Sequence, residues 1–238
     1  MSTLNRLVLW NIDNTLVDVA RVTREAYAEA FRRTTGRPLV RLAPTPGRTE
    51  SEIIFETLAF NDIVTTDDHL PAFMVALTEA FAARRGDLRR HGRVLAGARE
   101  AITTLATRKD TAQTVLTGSI RPNALLKLTE LGLDRWLNID TGGYETGVYS
   151  KAALLELART RTGEKLGARF GQAVYIADSP RDVQAARIAY TPVIAVATGS
   201  ATQAELRAAG ADTVLADLTD TATVVRAVVD LTAPARPA

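Results

Sequence analysis

The stretch Leu7-Val8-Leu9-Trp10-Asn11-Ile12-Asp13-Asn14-Thr15-Leu16-Val17-Asp18 decides how the chain is read. Its first four residues are apolar without interruption, the pattern of a strand buried on both faces of a parallel sheet. The chain then turns polar. Asn11 and Asp13, two positions apart, point the same way from the strand's carboxyl end if its alternation persists. Open α/β sheets place their ligands at that edge.

Downstream the period changes from strand to helix and stays helical for a long way. Residues 19–35 set Val22, Ala26, Ala30 and Phe31 on one face, and Gly36-Arg37-Pro38 ends the run. After a loop with Pro44, Pro46 and Gly47, helical spacing returns over residues 51–60 and 70–85. This mainly helical segment interrupts a chain that began as a strand, and it reads as an inserted cap. Gly97 marks the return. Helix 98–107 precedes a buried strand at 114–116; helix 121–131, strand 136–139 and helix 151–160 follow. Strand 173–177, helix 180–190, strand 193–196, helix 201–209, strand 213–215 and helix 220–231 complete the series. Repeated units of this length imply a Rossmann-like α/β fold, a parallel sheet with helices on both faces. The expected organisation is a core of residues 1–17 and 95–231, a helical cap of residues 18–94 and a flexible tail of residues 232–238.

Composition narrows the function classes. The chain has 238 residues, 46% hydrophobic and 24% charged, with a net charge of only +2. That balance gives no reason to expect nucleic acid or an acidic membrane surface as a partner. There are no cysteines, so disulfides and thiolate metal sites are excluded. No apolar run approaches the ~20 residues of a membrane span, and the first residues lack a secretory core, so a cytoplasmic location is expected. Nearly all positive charge is arginine; lysine occurs only at Lys109, Lys127, Lys151 and Lys165. The cluster Arg89, Arg90, His91 and Arg93 reads as solvated surface.

Three later clusters carry site chemistry. Thr117-Gly118-Ser119 ends a strand with a hydroxyl and a glycine, and a turn of that kind leading into a helix offers unsatisfied N–H donors to an anion. Lys151 opens a helix, where the dipole disfavours a cation, which hints at a use other than helix stability. Asp178 and Asp182 fall at a strand end and in the following first helical turn. Carboxylates there suit a small hard cation, and they equally suit a helix N-cap and amino end.

Taken in order, these clusters resemble the four motifs of the haloacid dehalogenase-like superfamily of phosphohydrolases, over nearly the whole chain. The first motif, Asp-x-Asp-x-Thr-Leu after a hydrophobic strand, is matched by Asn11, Asp13, Thr15 and Leu16 except at its first letter. The resemblance implies that position 11 carries the nucleophile and a metal ligand, and that Asp13 works as acid and base. It further implies that Thr117, Gly118 and Ser119 hold phosphate with Thr15, and that Lys151 neutralises charge. Asn11, Asp13, Asp178 and Asp182 are then the implied Mg2+ set. The fourth motif departs mildly, with Ala177 for glycine, and Lys151 is followed by alanine where proline is commoner. The helical insert is similar to the cap of the phosphoglycolate phosphatase-like branch, with Arg48 in its substrate-facing loop. A dehalogenase would have no use for an acid at Asp13, which favours phosphate as target. The expected function is Mg2+-dependent hydrolysis of a small phosphate monoester through an aspartyl-phosphate, by a monomer or homodimer. An amide at Asn11 is a poor nucleophile and should neither carry the phosphoryl group nor hold metal well. The alternative is a homologue that has given up hydrolysis and binds a phosphorylated ligand or a protein partner.

Overall fold

The computed structural model describes residues 4–146 and 150–233. Of the expected tail, residues 234–238 lie outside the described residues, as do residues 147–149 of the loop before Lys151. Strand β1 (Arg6–Trp10) is followed by the short β2 (Val17–Asp18) and four helices, α1 (Ala20–Thr35), α2 (Glu50–Phe60), α3 (His69–Ala83) and α4 (Arg85–His91). Then come β3 (Arg93–Val94), α5 (Ala98–Ala106), β4 (Thr111–Ile120), α6 (Arg121–Glu130), β5 (Gly143–Glu145) and α7 (Lys151–Leu166). The chain continues through β6 (Gln172–Ala177), α8 (Pro180–Ile188), β7 (Val193–Val196), α9 (Gln203–Ala208), β8 (Thr213–Leu215) and α10 (Thr221–Leu231).

Six strands form one parallel sheet in the order β5-β4-β1-β6-β7-β8, which puts β1 in the interior. From β1 the chain passes first to β4 and β5 on one side and later to β6, β7 and β8 on the other. The crevice at the carboxyl end of β1 is therefore a topological switch point. The unbroken apolar run of β1 has its expected cause. Val8 and Trp10 pack into a cluster with α5, α6 and α10, while Leu7 and Leu9 pack into a second cluster with α7, α8 and α9. Trp10 meets its polar need inside the core, donating its indole N–H to Gln113 at 3.0 Å.

The insert enters and leaves through one antiparallel pair, Val17 with Val94 and Asp18 with Arg93. Its apolar stripes, including Tyr27, Phe31, Ile54, Phe73, Leu77 and Phe81, continue the cluster on the Trp10 side of the sheet. Helix α2 begins with a capping box between Thr49 and Glu52. No helix among the described residues is long and apolar enough to cross a membrane.

Three sequence expectations need correction. Residues 136–139 form no strand: short 3-10 turns cover Asp134–Trp136 and Ile139–Thr141, and the edge strand is Gly143–Glu145. There Gly143 lies so close to the Leu154 carbonyl that a side chain would collide with it. Thr117-Gly118-Ser119 is not a turn but the end of a ten-residue strand, buried throughout. The helix expected over 70–85 is broken at Arg84, and α4 starts anew. The basic cluster is on the surface as expected, but ion-paired: Arg89 to Glu130, Arg90 to Asp87 and Arg93 to Asp18.

Candidate active site

A cavity of about 700 Å³ opens at the carboxyl edge of β1 and β4, between sheet and insert. Asn11, Asp13, Thr117, Gly118, Ser119 and Lys151 reach it from the sheet side, and Tyr27, Arg48 and Glu50 from the insert. The sequence-predicted residues thus converge from three separate stretches. Thr15, Asp178 and Asp182 are placed beneath this wall and do not line it.

The turn after β1 is built on one acceptor. The Ile12 carbonyl accepts from the N–H groups of Thr15, Leu16 and Val17, and Asn14 takes a left-handed conformation with φ 59°, which asparagine tolerates better than most residues. This tight loop brings the side chain of Asn11 against the backbone of Asp13. The Asn11 amide nitrogen donates to the Asp13 carbonyl at 2.9 Å, to Asp178 Oδ1 at 2.9 Å and to Thr15 Oγ1 at 3.2 Å. Thr15 also donates its hydroxyl to Asp178 Oδ1 at 2.9 Å. Thr15, expected at the phosphate, has its hydroxyl on Asp178 and is not among the residues that line the cavity.

Each remaining carboxylate has its own cation or cap. Lys127 of α6 approaches both oxygens of Asp13, at 2.8 and 3.0 Å, and also lies 3.1 Å from the Ser119 hydroxyl. Lys151 lies 2.5 Å from Asp182 Oδ1, which also accepts from the Tyr175 hydroxyl at 2.9 Å. Asp182 Oδ2 accepts from Ser179 at 2.5 Å, so both oxygens of this fully buried carboxylate are engaged. Ser179, not Asp178, is the N-cap of α8. That leaves Asp178, buried and with Oδ2 lacking a hydrogen-bond partner. Burial, and then the neighbouring Asp182 charge, push its carboxyl well above the usual range.

The insert contributes groups that the sequence reading did not single out. Glu50 is buried; its carboxylate accepts from the Ile120 N–H at 3.0 Å and from Asn123 at 3.3 and 3.4 Å. Desolvation raises its carboxyl to about 7, against the opposing pull of Lys127. The Tyr27 hydroxyl is buried on the cavity wall without a hydrogen-bond partner. Burial, then the charges of Glu50 and Asp13, keep that phenol protonated far up the pH scale. Arg48, expected to face substrate, lines the cavity but is ion-paired with Glu56. Lys127 had one sequence signal, as one of only four lysines and in a helical register beside Ala124 and Leu128; Tyr27 and Glu50 had none.

The resemblance implies Mg2+ at this centre. A small hard cation is held by anionic oxygens around one point. Here the oxygens of Asp13 and Asp182 are taken up by lysines and hydroxyls, and the Asn11 amide nitrogen fills the point where the Asp13 carbonyl, Thr15 and Asp178 converge. Among the described residues no three acidic or histidine side chains are grouped so that they could hold a metal ion. These residues do not fit a resident divalent metal.

Solved structures of similar fold cover nearly the whole chain. A hydrolase from Pseudomonas syringae superposes with a TM-score of 0.69 at 21% identity, over 94% of this chain and 98% of that one. A Bacteroides vulgatus protein described as a β-phosphoglucomutase gives 0.71 at 20% identity, over 98% and 92% of the two chains. A predicted phosphoglycolate phosphatase from Haemophilus somnus gives 0.62 at 15% identity, over 94% and 99%. At these identities the likeness is one of fold. No curated protein sequence matches the chain significantly. Residues 8–187, which contain every one of the four polar clusters, match the haloacid dehalogenase-like hydrolase family, and the chain belongs to that family.

Proposed function

We propose that the cavity takes the phosphate group of a small phosphate monoester, as in a phosphatase of this family, and that Asn11 holds back its hydrolysis. One observation carries the reading: Asn11, Asp13, Thr117, Ser119 and Lys151, far apart in sequence, share one cavity at the switch point of the sheet. Lys151 supplies positive charge from the start of α7, and the Thr117 hydroxyl, with the strand end at Gly118 and Ser119, supplies polar contacts. Phosphoglycolate-like and sugar-phosphate substrates both suit a cavity of this size. The helical insert, residues 18–94, acts in this reading as a cap that closes over the ester and excludes bulky groups.

In the covalent route a carboxylate at position 11 attacks phosphorus and the ester oxygen leaves with a proton from Asp13. Asp13 then takes a proton from the water that cleaves the acyl-phosphate. An amide at Asn11 cannot start that sequence, and Asp13 must first release Lys127 to take part in it. Magnesium enters this reading only with a carboxylate at position 11. A second reading, binding of a phosphorylated ligand or partner without turnover, is favoured by the way the Asn11 amide is tied down by three acceptors.

Asn11→Asp decides between them. With Mg2+ and a panel of small phosphate monoesters, it is expected to hydrolyse at least one about a thousandfold faster than the parent chain, on the order of ~4 kcal/mol of barrier. No gain on any ester favours binding without turnover.

A further inference from the structure

The mismatch with a metal centre has a positive side, because the groups that displace the metal are themselves donors. The Asn11 amide nitrogen sits among the Asp13 carbonyl, Asp178 Oδ1 and Thr15 Oγ1 at 2.9, 2.9 and 3.2 Å, three oxygens around one point as a cation would have them. Turning the amide over would set its oxygen against the Asp13 backbone carbonyl, which can never donate, so that contact fixes the orientation. Lys127 places a full charge on Asp13, and its ammonium also stands 5.1 Å from the Phe81 ring centre, inside a 2% exposed position. Lys151 does the same for Asp182. With Asp13 and Asp182 each matched by a lysine, Asp178 is the one of the three carboxylates whose contacts are an amide and a hydroxyl instead of a cation.

We propose that this centre substitutes fixed donors of the chain, the Asn11 amide and the Lys127 ammonium, for a divalent cation, and that it binds a phosphate group without metal. The phosphate part rests on the reading given under Proposed function; the metal part does not. A dication entering here would meet an amide nitrogen at the convergence point and a buried ammonium on the nearest carboxylate. Both repel it. A phosphate dianion meets the opposite arrangement, with Lys151 and Lys127 both lining the cavity.

Two titrations of the full chain test this. Manganese(II) is added to the parent chain and to Asn11→Asp, and free Mn2+ is read from its electron paramagnetic resonance. Inorganic phosphate is then titrated calorimetrically with Mg2+ and with chelator. The parent chain should bind Mn2+ no tighter than ~1 mM, and Asn11→Asp at least about tenfold tighter, since it restores a carboxylate at the convergence point. Phosphate affinity should change by less than about twofold between Mg2+ and chelator, because no metal–phosphate contact is lost. Mn2+ bound by the parent as tightly as by Asn11→Asp overturns the proposal, and so does phosphate binding that requires Mg2+. No phosphate binding under either condition overturns the phosphate reading, while the Mn2+ comparison still decides whether the amide has replaced the cation. If Asn11→Asp does not fold, the parent's own Mn2+ titration decides: saturation well below ~1 mM contradicts the substitution.

Discussion

The Lys127 ammonium holds both carboxylate oxygens of Asp13, at 2.8 and 3.0 Å, and it is the more deeply buried partner, with its side chain 2% exposed against 33%. That asymmetry orders the effects of breaking the pair. Removing Asp13 strands a desolvated ammonium, whereas removing Lys127 leaves a carboxylate that water can reach. Asp13→Ala should destabilise by about 3 kcal/mol and Lys127→Met, which keeps the apolar contact with Phe81, by about 1 kcal/mol. Urea unfolding of both variants checks the order, and equal or reversed losses would count against it.

Glu50 makes stability depend on pH. Its carboxyl titrates at about 7 when folded against an ordinary 4.5, so the folded state binds the proton more tightly. The contribution is fully present below about 4.5 and is lost as pH rises through about 7. By linkage the fall is about 3 kcal/mol at most. Lys127 opposes the shift and Asp13 adds to it. Glu50→Gln removes the titration, so the parent should lose stability relative to this variant between pH 5 and pH 8. A difference independent of pH would show that the carboxylate is not desolvated as described.

Gly118 of strand β4 lies against the backbone of Arg48 and Thr49, just before α2. A Cβ there would strike the Arg48 carbonyl and Thr49 Cα, both backbone and unable to swing away. Gly118→Ala should therefore cost about 1–3 kcal/mol. Gly86 of α4 has nothing within 4 Å of a Cβ, and Gly86→Ala should gain about 0.5 kcal/mol. Thermal melts of the two variants moving in opposite directions would bear this out, and parallel shifts would not.

Much of the fold was legible because burial on two faces leaves a pattern. The run Leu7 to Trp10 could be read as an interior strand, and it lies in the interior of the sheet between β4 and β6. The edge strand was misplaced because Gly143-Tyr144-Glu145 has no apolar run, while Trp136 and Leu137 suggested one; Trp136 is in fact 40% exposed. At the site, position and order were readable, and partnership was not. Nothing local in sequence announces that Lys127 reaches Asp13 across 114 positions, or that Glu50 turns inward to Ile120 and Asn123. Such pairings are set by how α2 and α6 pack, which periodicity does not encode.

The Tyr27 hydroxyl is buried and unpartnered on the cavity wall. Such a group carries its desolvation penalty without a compensating bond. Tyr27→Phe should leave the ligand-free chain equally stable or more stable by about 1 kcal/mol, measured by denaturant midpoint. A clear loss would mean that the hydroxyl has a partner in solution.

The most direct test of the account is a titration of the isotopically labelled chain with inorganic phosphate, followed by amide resonances in two-dimensional nuclear magnetic resonance. If the separated clusters form one phosphate pocket, the shifts centre on Asp13, Thr117, Gly118, Ser119 and Lys151. Absence of shifts at these positions, or shifts centred on another part of the surface, would contradict it.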